Sequence, residues 1–145
     1  MDNVILGRGR PGRDEIIAAG VITPGDLVDP QAAVVHAGAQ LNAEKVFADV
    51  NTFHEQAGKS IEQAYVSGES TPVLMCSGGE RIYARLAVSQ TIAAGDPLAS
   101  AGNGQLTAVT TAAATADTAR DSIVAYAAEA VTTTGAVLRI WINVA

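Results

Sequence analysis

Cysteine is almost absent from this chain. Cys76 is the single one, so no internal disulfide can form and a disulfide-stapled secreted scaffold is excluded. Lysine occurs only at Lys45 and Lys59, and charged residues make up 17% of the chain against the ~25% of an ordinary soluble domain. Aromatic side chains are scarce: two Phe, three Tyr and one Trp. No run approaches the roughly 20 apolar residues of a membrane helix, so no membrane association is expected. Met1-Asp2-Asn3 leads into only three aliphatic residues, not a basic-then-apolar leader, and the chain is expected to be made inside the cell and to stay soluble. The formal net charge of -6 argues against general affinity for nucleic acid or anionic lipid.

What is present is small and β-branched. Of 145 residues, 28 are alanine, while valine and isoleucine together number 25 and threonine 12, against 8 leucines. Stiff β-branched side chains suit a pleated surface better than a helix, and 14 glycines supply the positive-φ positions of tight turns. The expected class is mainly β. In Val137–Val144, Leu138, Ile140, Ile142 and Val144 share one face with Arg139 and Asn143 on the other, a period-2 pattern that predicts a half-buried strand. Arg81–Val88 repeats it, with Ile82, Ala84, Leu86 and Val88 set against Arg81, Tyr83 and Arg85. Val73–Cys76 reads as a strand that ends in the Ser77-Gly78-Gly79 turn. Ile123–Ala130 fits strand or helix, and Ala43–Gln56 fits a helical face through Val46, Phe47, Val50 and Phe53 as well as strand alternation over Lys45–Val50.

Residues 1–17 differ from the rest. An aliphatic plug, Val4-Ile5-Leu6, precedes Gly7-Arg8-Gly9-Arg10-Pro11-Gly12-Arg13, whose glycine and proline content predicts an extended arm without regular structure. Residues 18–145 form one domain in this reading. Within it, Thr23-Pro24-Gly25-Asp26-Leu27 is echoed 70 positions later by Ala93-Ala94-Gly95-Asp96-Pro97-Leu98. Glycine at positive φ followed by an Asx-forming aspartate predicts a tight corner that relaunches a strand, and its recurrence points to a duplicated β unit. Thr107–Arg120 is close to low complexity, and a mobile loop and a short helix over Ala112–Arg120 both fit it.

Reactive chemistry is sparse. His36 and His54 have no partner at metal-ligand spacing, and four converging ligands are the rule for structural zinc. No metal and no cofactor are therefore expected. Cys76 follows Leu74-Met75 in a strand, where an inert buried thiol is the default. Asp26 and Asp96, and likewise Glu69 and Glu80 after their glycines, read as turn residues and not as a catalytic pair. No nucleophile elbow, P-loop or dinucleotide fingerprint occurs, so no enzymatic activity is expected. Arg8-Gly9-Arg10-Pro11 matches the core of an AT-hook, whose arginines enter the narrow minor groove. The single copy is flanked by Asp2, Asp14 and Glu15, and Val4, Ile5, Leu6, Arg8, Arg10 and Arg13 better suit an arm that grips a protein partner. Trp141 lies opposite the Leu138/Ile140/Ile142 face, as a second buried face or as an interface anchor.

From Ile61 to Val109 the order of phrases becomes distinctive. Ile61, Ala64 and Tyr65 precede Gly68-Glu69, then a strand, the Gly79-Glu80 turn, a second strand and the run from Gly95 to Leu106. Ala128-Glu129-Ala130-Val131 opens the closing stretch to Val144. In this order the chain resembles the head decoration, or capsid cement, proteins of tailed bacteriophages over most of Ala18–Val144. The resemblance implies a small β-barrel or β-tulip-like domain on the outer surface of an icosahedral head, and it favours strand over Lys45–Asn51. It implies binding to the major capsid protein and a homo-oligomer, trimer before dimer, that bridges neighbouring capsid subunits and stabilises the shell. The rival expectations are a DNA-associated protein acting through the arm and a host-surface, glycan-binding β-module. Six aromatics leave the second of these few stacking platforms.

Overall fold

Alternation at the Arg81 and Leu138 segments makes them the two long walls of a barrel, and three other strands pair with them directly. The computed structural model describes residues 7–8, 12–39, 43–50, 61–109 and 122–145. The first strands are β1 (Gly7–Arg8), β2 (Gly12–Ile17), β3 (Val28–Asp29), β4 (Val34–Val35), β5 (Val46–Ala48) and β6 (Ser70–Met75). They are followed by β7 (Arg81–Leu86), β8 (Thr91–Ile92), β9 (Pro97–Ser100), β10 (Leu106–Ala108), β11 (Ala125–Ala127), β12 (Val131–Thr132) and β13 (Leu138–Val144). The fold is mainly β, and apart from Ser122 no described residue is helical. The segment Ala112–Arg120, where a short helix was one expectation, lies outside the described residues, as do Phe53 and His54.

Strands β7, β10, β9, β11 and β13 close on themselves as a five-stranded barrel, because β7 pairs with β10 on one edge and with β13 on the other. All these pairings are antiparallel except β10 with β7, where Leu106 lies beside Leu86. A barrel this narrow has little interior, and the sequence meets that limit by setting small residues against large ones. Ala84 stands opposite Ile140, Ala127 opposite Ile142, and Ala125 between Val144 and Leu98, all of them buried. The alanine surplus is in part a consequence of barrel diameter.

A second sheet, β2-β6-β5, is antiparallel throughout. Its strand β5 is buried on both faces. Phe47 joins Leu74 and Leu27 in the same cluster as the barrel interior, while Val46 and Ala48 join Ile22, Val28 and Val73 in a second core. Within Lys45–Val50 the strand is Val46–Ala48, and within Ile123–Ala130 it is Ala125–Ala127. Leu138 departs from expectation. It shares the inward face yet is 43% exposed, because β11 reaches only Ile142–Val144 of β13 and the chain turns away after Ala127.

The segment expected to be an irregular arm contains strand. Gly12–Ile17 is extended and pairs with β6 along its whole length, from Gly12 opposite Met75 to Ile17 opposite Ser70. Gly7–Arg8 pairs with Ile82 and Arg81 at the start of β7. Glycine and arginine do not drive this. The free edges of β6 and β7 do, by offering backbone partners to any extended segment.

The duplicated phrase forms two copies of one corner, and the structure holds two more. Thr23–Asp26, Val66–Glu69, Ser77–Glu80 and Ala93–Asp96 each have glycine in third place, at φ between 89° and 92°. In each, the fourth residue's N–H donates to the first residue's C=O, at 2.9, 3.1, 3.3 and 3.1 Å respectively. These are type II turns, which require glycine there, and Pro24 occupies the position that favours proline. The acidic side chain then accepts the first residue's N–H, at 2.9, 2.9, 2.6 and 2.9 Å. Every corner also clasps one residue of another segment. The glycine N–H donates to the carbonyl of Ala48, Ala18, Val144 or Ala127, and that same residue's N–H returns a bond to the acid's carbonyl.

Surroundings separate the corners energetically. A Cβ on Gly95 would meet open space, whereas one on Gly25 would fall on Nη1 of Arg139 and lie 3.0 Å from the Tyr83 carbonyl. Gly95→Ala is expected to cost about 1–2 kcal/mol from backbone strain alone. Gly25→Ala is expected to cost on the order of 3 kcal/mol or more, since strain and overpacking add. Urea unfolding of the two variants beside the parent protein checks the order, and equal costs would contradict it.

Candidate interaction surface

The outer face of the barrel is built by register. With Ile82, Ala84 and Leu86 turned inward on β7, Arg81, Tyr83 and Arg85 must point outward, and β13 sets Asn143, Trp141 and Arg139 directly opposite them. Three rows result. In the first, Arg81 Nε donates to Asn143 Oδ1 at 3.1 Å, and Tyr126 of β11, 41% exposed, lies beside Asn143. In the second, the Tyr83 and Trp141 rings sit 5.2 Å apart at 37°. Three of the chain's six aromatics therefore share one outer face with an arginine, and aromatics and arginine are the residue types enriched at protein interfaces. The backbone N–H of Trp141 is held by Glu129 Oε1 at 2.9 Å, which replaces a ladder bond lost where β11 ends.

The third row sets two arginines side by side, and its charge is balanced from outside the barrel. Arg85 Nη1 donates to Asp26 Oδ1 at 2.8 Å. Arg139 is almost wholly buried and donates from Nε to Glu62 Oε1 at 2.7 Å and from Nη2 to the Ile61 carbonyl at 2.6 Å. Asp26 is itself buried beneath them. Burial raises its carboxyl above the ordinary 3.8, and the Arg85 guanidinium, the Thr23 N–H and Arg139 pull it back only in part. In this row Arg85 bonds inward to the Thr23–Asp26 corner, whereas Arg139 bonds to the exposed Glu62 and to the Ile61 carbonyl.

Of the residues singled out for partner contact, three are described, and they stand in three different strands, β1, β2 and β13. Val4, Ile5, Leu6 and Arg10 lie outside the described residues. Arg8 is in β1, opposite Arg81. Arg13 lies in β2, where its Nη1 meets Asp49 Oδ2 at 2.6 Å, so its guanidinium serves an internal carboxylate. Trp141 sits at the centre of the aromatic face. Tyr83, Tyr126 and Arg81 were missed as its companions because register, which brings them together, is not written in any one segment. His36 Nδ1 lies 2.7 Å from Ser100 Oγ, beside an open hollow lined by Asp29, Gln31, Ala43 and Glu44. Among the described residues no group of three or more His, Cys, Asp or Glu side chains is placed to hold a metal ion. Asp26 and Asp96 belong to separate corners.

Cys76 is half-buried, and burial, with Glu80 and Asp49 nearby, pushes its thiol up to about 12. Thiolate is the reactive form. Iodoacetamide at pH 8 is therefore expected to leave the folded protein unlabelled and to modify Cys76 only after denaturation, as read by intact mass. For Asp26 the sign is opposite to that of an exposed ion pair. A folded value above the unfolded one means that ionisation costs stability, and the cost disappears as pH falls through the folded value. The stability of the parent protein relative to Asp26→Asn is expected to rise from pH 7 towards pH 4 in thermal melts. A gap that narrows instead would show that Arg85 outweighs burial.

No family model matches the chain, and no curated protein sequence matches it. Among solved structures, the N base of the head fibre gp8.5 in bacteriophage phi29 is similar in architecture. It superposes with a TM-score of 0.54 over 94% of this chain and 95% of that one, at 12% identity. At that identity the likeness speaks for fold alone, and the fold it matches is that of a phage head protein.

Proposed function

We propose that this chain is a structural, non-enzymatic component of a phage virion. In this reading it attaches to the outer surface of the icosahedral head, contacts the major capsid protein and bridges neighbouring capsid subunits as a homo-oligomer. The observation that carries the reading is the near end-to-end likeness of the fold to a phage head fibre base. The order of phrases from Ile61 to Val144, which resembles capsid decoration proteins, supports it independently. The mechanism is additive: each copy covers a modest area across capsid subunits, and symmetric repetition multiplies it. The outer barrel face of Tyr83, Trp141, Tyr126, Arg81 and Asn143 is the contact surface in this proposal, since aromatic and arginine anchors dominate interface energetics.

Co-sedimentation with expanded, DNA-free heads of the phage that encodes it tests the reading, with light-scattering mass establishing the oligomer first. Binding is expected, and Trp141→Ala with Tyr126→Ala is expected to weaken it by roughly 10-fold or more, as loss of one or two anchors does. A folded oligomer that stays in the supernatant at all head concentrations would overturn the proposal. A second arm of the experiment removes residues 1–6. Unchanged pelleting would assign attachment to the body and not to the aliphatic plug.

A further inference from the structure

Among the described residues no strand pairs with the outer edge of β2 in the sheet β2-β6-β5, and Gly12 to Ile17 are exposed along it apart from the half-buried Ile16. Bonds on the far side of β6 fix which backbone groups this edge presents. Cys76 N–H donates to the Lys45 carbonyl and Asp49 N–H to the Pro72 carbonyl, so even-numbered residues of β6 direct their backbone groups to β5 and odd-numbered ones to β2. Thr71, Val73 and Met75 pair with Ile16, Asp14 and Gly12. Arg13, Glu15 and Ile17 therefore aim N–H and C=O groups away from the sheet. Such an edge is a template for a further strand, and with it for unwanted association.

This edge is blunted in three ways. Asp14 Oδ1 accepts the Glu15 N–H at 2.8 Å, occupying the central outward donor. Beyond Ile17 the next outward donor, Ala19 N–H, is taken by the Ala33 carbonyl at 2.9 Å. Arg13, Asp14 and Glu15 are consecutive exposed charges, and Arg13 is tied to Asp49. Two copies paired antiparallel about Asp14 would match Arg13 with Glu15 of a second copy. The same register would also set two Asp14 carboxylates directly opposite, which is destabilising.

We infer that Asp14 guards the β2 edge: its carboxylate occupies the central backbone donor and its charge repels a second copy, so copies of this chain do not join strand to strand through β2. Any homo-oligomer then forms through another surface. Two measurements on the full chain test this, and neither depends on capsid binding. By amide hydrogen exchange the Glu15 N–H is expected to be protected relative to those of Arg13 and Ile17. Asp14→Ala is expected to speed its exchange roughly threefold to tenfold, whereas Asp14→Asn, which keeps an acceptor, leaves it protected. By light scattering across a concentration series, Asp14→Ala combined with Glu15→Thr is expected to form larger, concentration-dependent species than the parent protein. Glu15 exchange indifferent to Asp14→Ala would overturn the inference, as would a double variant whose mass matches the parent at every concentration.

Discussion

Among the described residues no strand pairs with one edge of β7 from Tyr83 to Arg85, since β1 pairs with Arg81 and Ile82 and β10 with Leu86. The Thr23–Asp26 corner fills that gap. The Arg85 N–H approaches the Gly25 carbonyl at 3.4 Å, and Gly25 packs so closely on Tyr83 and Arg139 that no side chain fits there. Asp26 then places a buried carboxylate against Arg85, which stands side by side with Arg139, whose own partner is Glu62. The barrel wall, the second core and the orientation between them all depend on this contact. Removing one partner of a buried pair generally costs about 3–5 kcal/mol, because the other charge is left stranded.

Repetition of the corner gives the molecule its economy. Four turns of the same chemistry clasp Ala48, Ala18, Val144 and Ala127, so the ends of four segments are tied down by backbone bonds instead of side-chain bulk. A chain rich in alanine needs such a device, since small side chains bury little apolar area per residue. The acidic residues consumed in these turns are also withdrawn from the surface as free charges. That accounts for part of the weak charge character of the exterior.

The sequence made the barrel walls legible where inward and outward residues differ in polarity, as in Arg81–Leu86 and in Ile140–Val144. It made two of the four corners legible through the Gly-Asp spelling, and the glutamates after Gly68 and Gly79 were readable as turn residues without revealing that all four turns are alike. Lys45–Val50 stayed ambiguous because Val46, Phe47 and Ala48 are all buried, and a strand buried on both faces loses its alternation. The glycine-rich segment around Gly12 misled for a different reason. Local composition speaks of intrinsic preference, whereas β2 exists because β6 has an edge to offer. The candidate surface was legible at Trp141 only. Tyr83 and Tyr126 join it through pairings with β13 that lie 58 and 17 positions apart in register, which local pattern cannot supply.

Trp141 is the only tryptophan of the chain, and it lies against Tyr83 in the row next to Arg85 and Arg139. Its indole emission therefore comes from one known place, the outer face of the barrel wall. Loss of the β7–β13 pairing would part the indole from Tyr83, and any molecule seated on this face would cover it. The molecule thus carries an intrinsic optical reporter of its barrel wall and of whatever binds there, with no label attached.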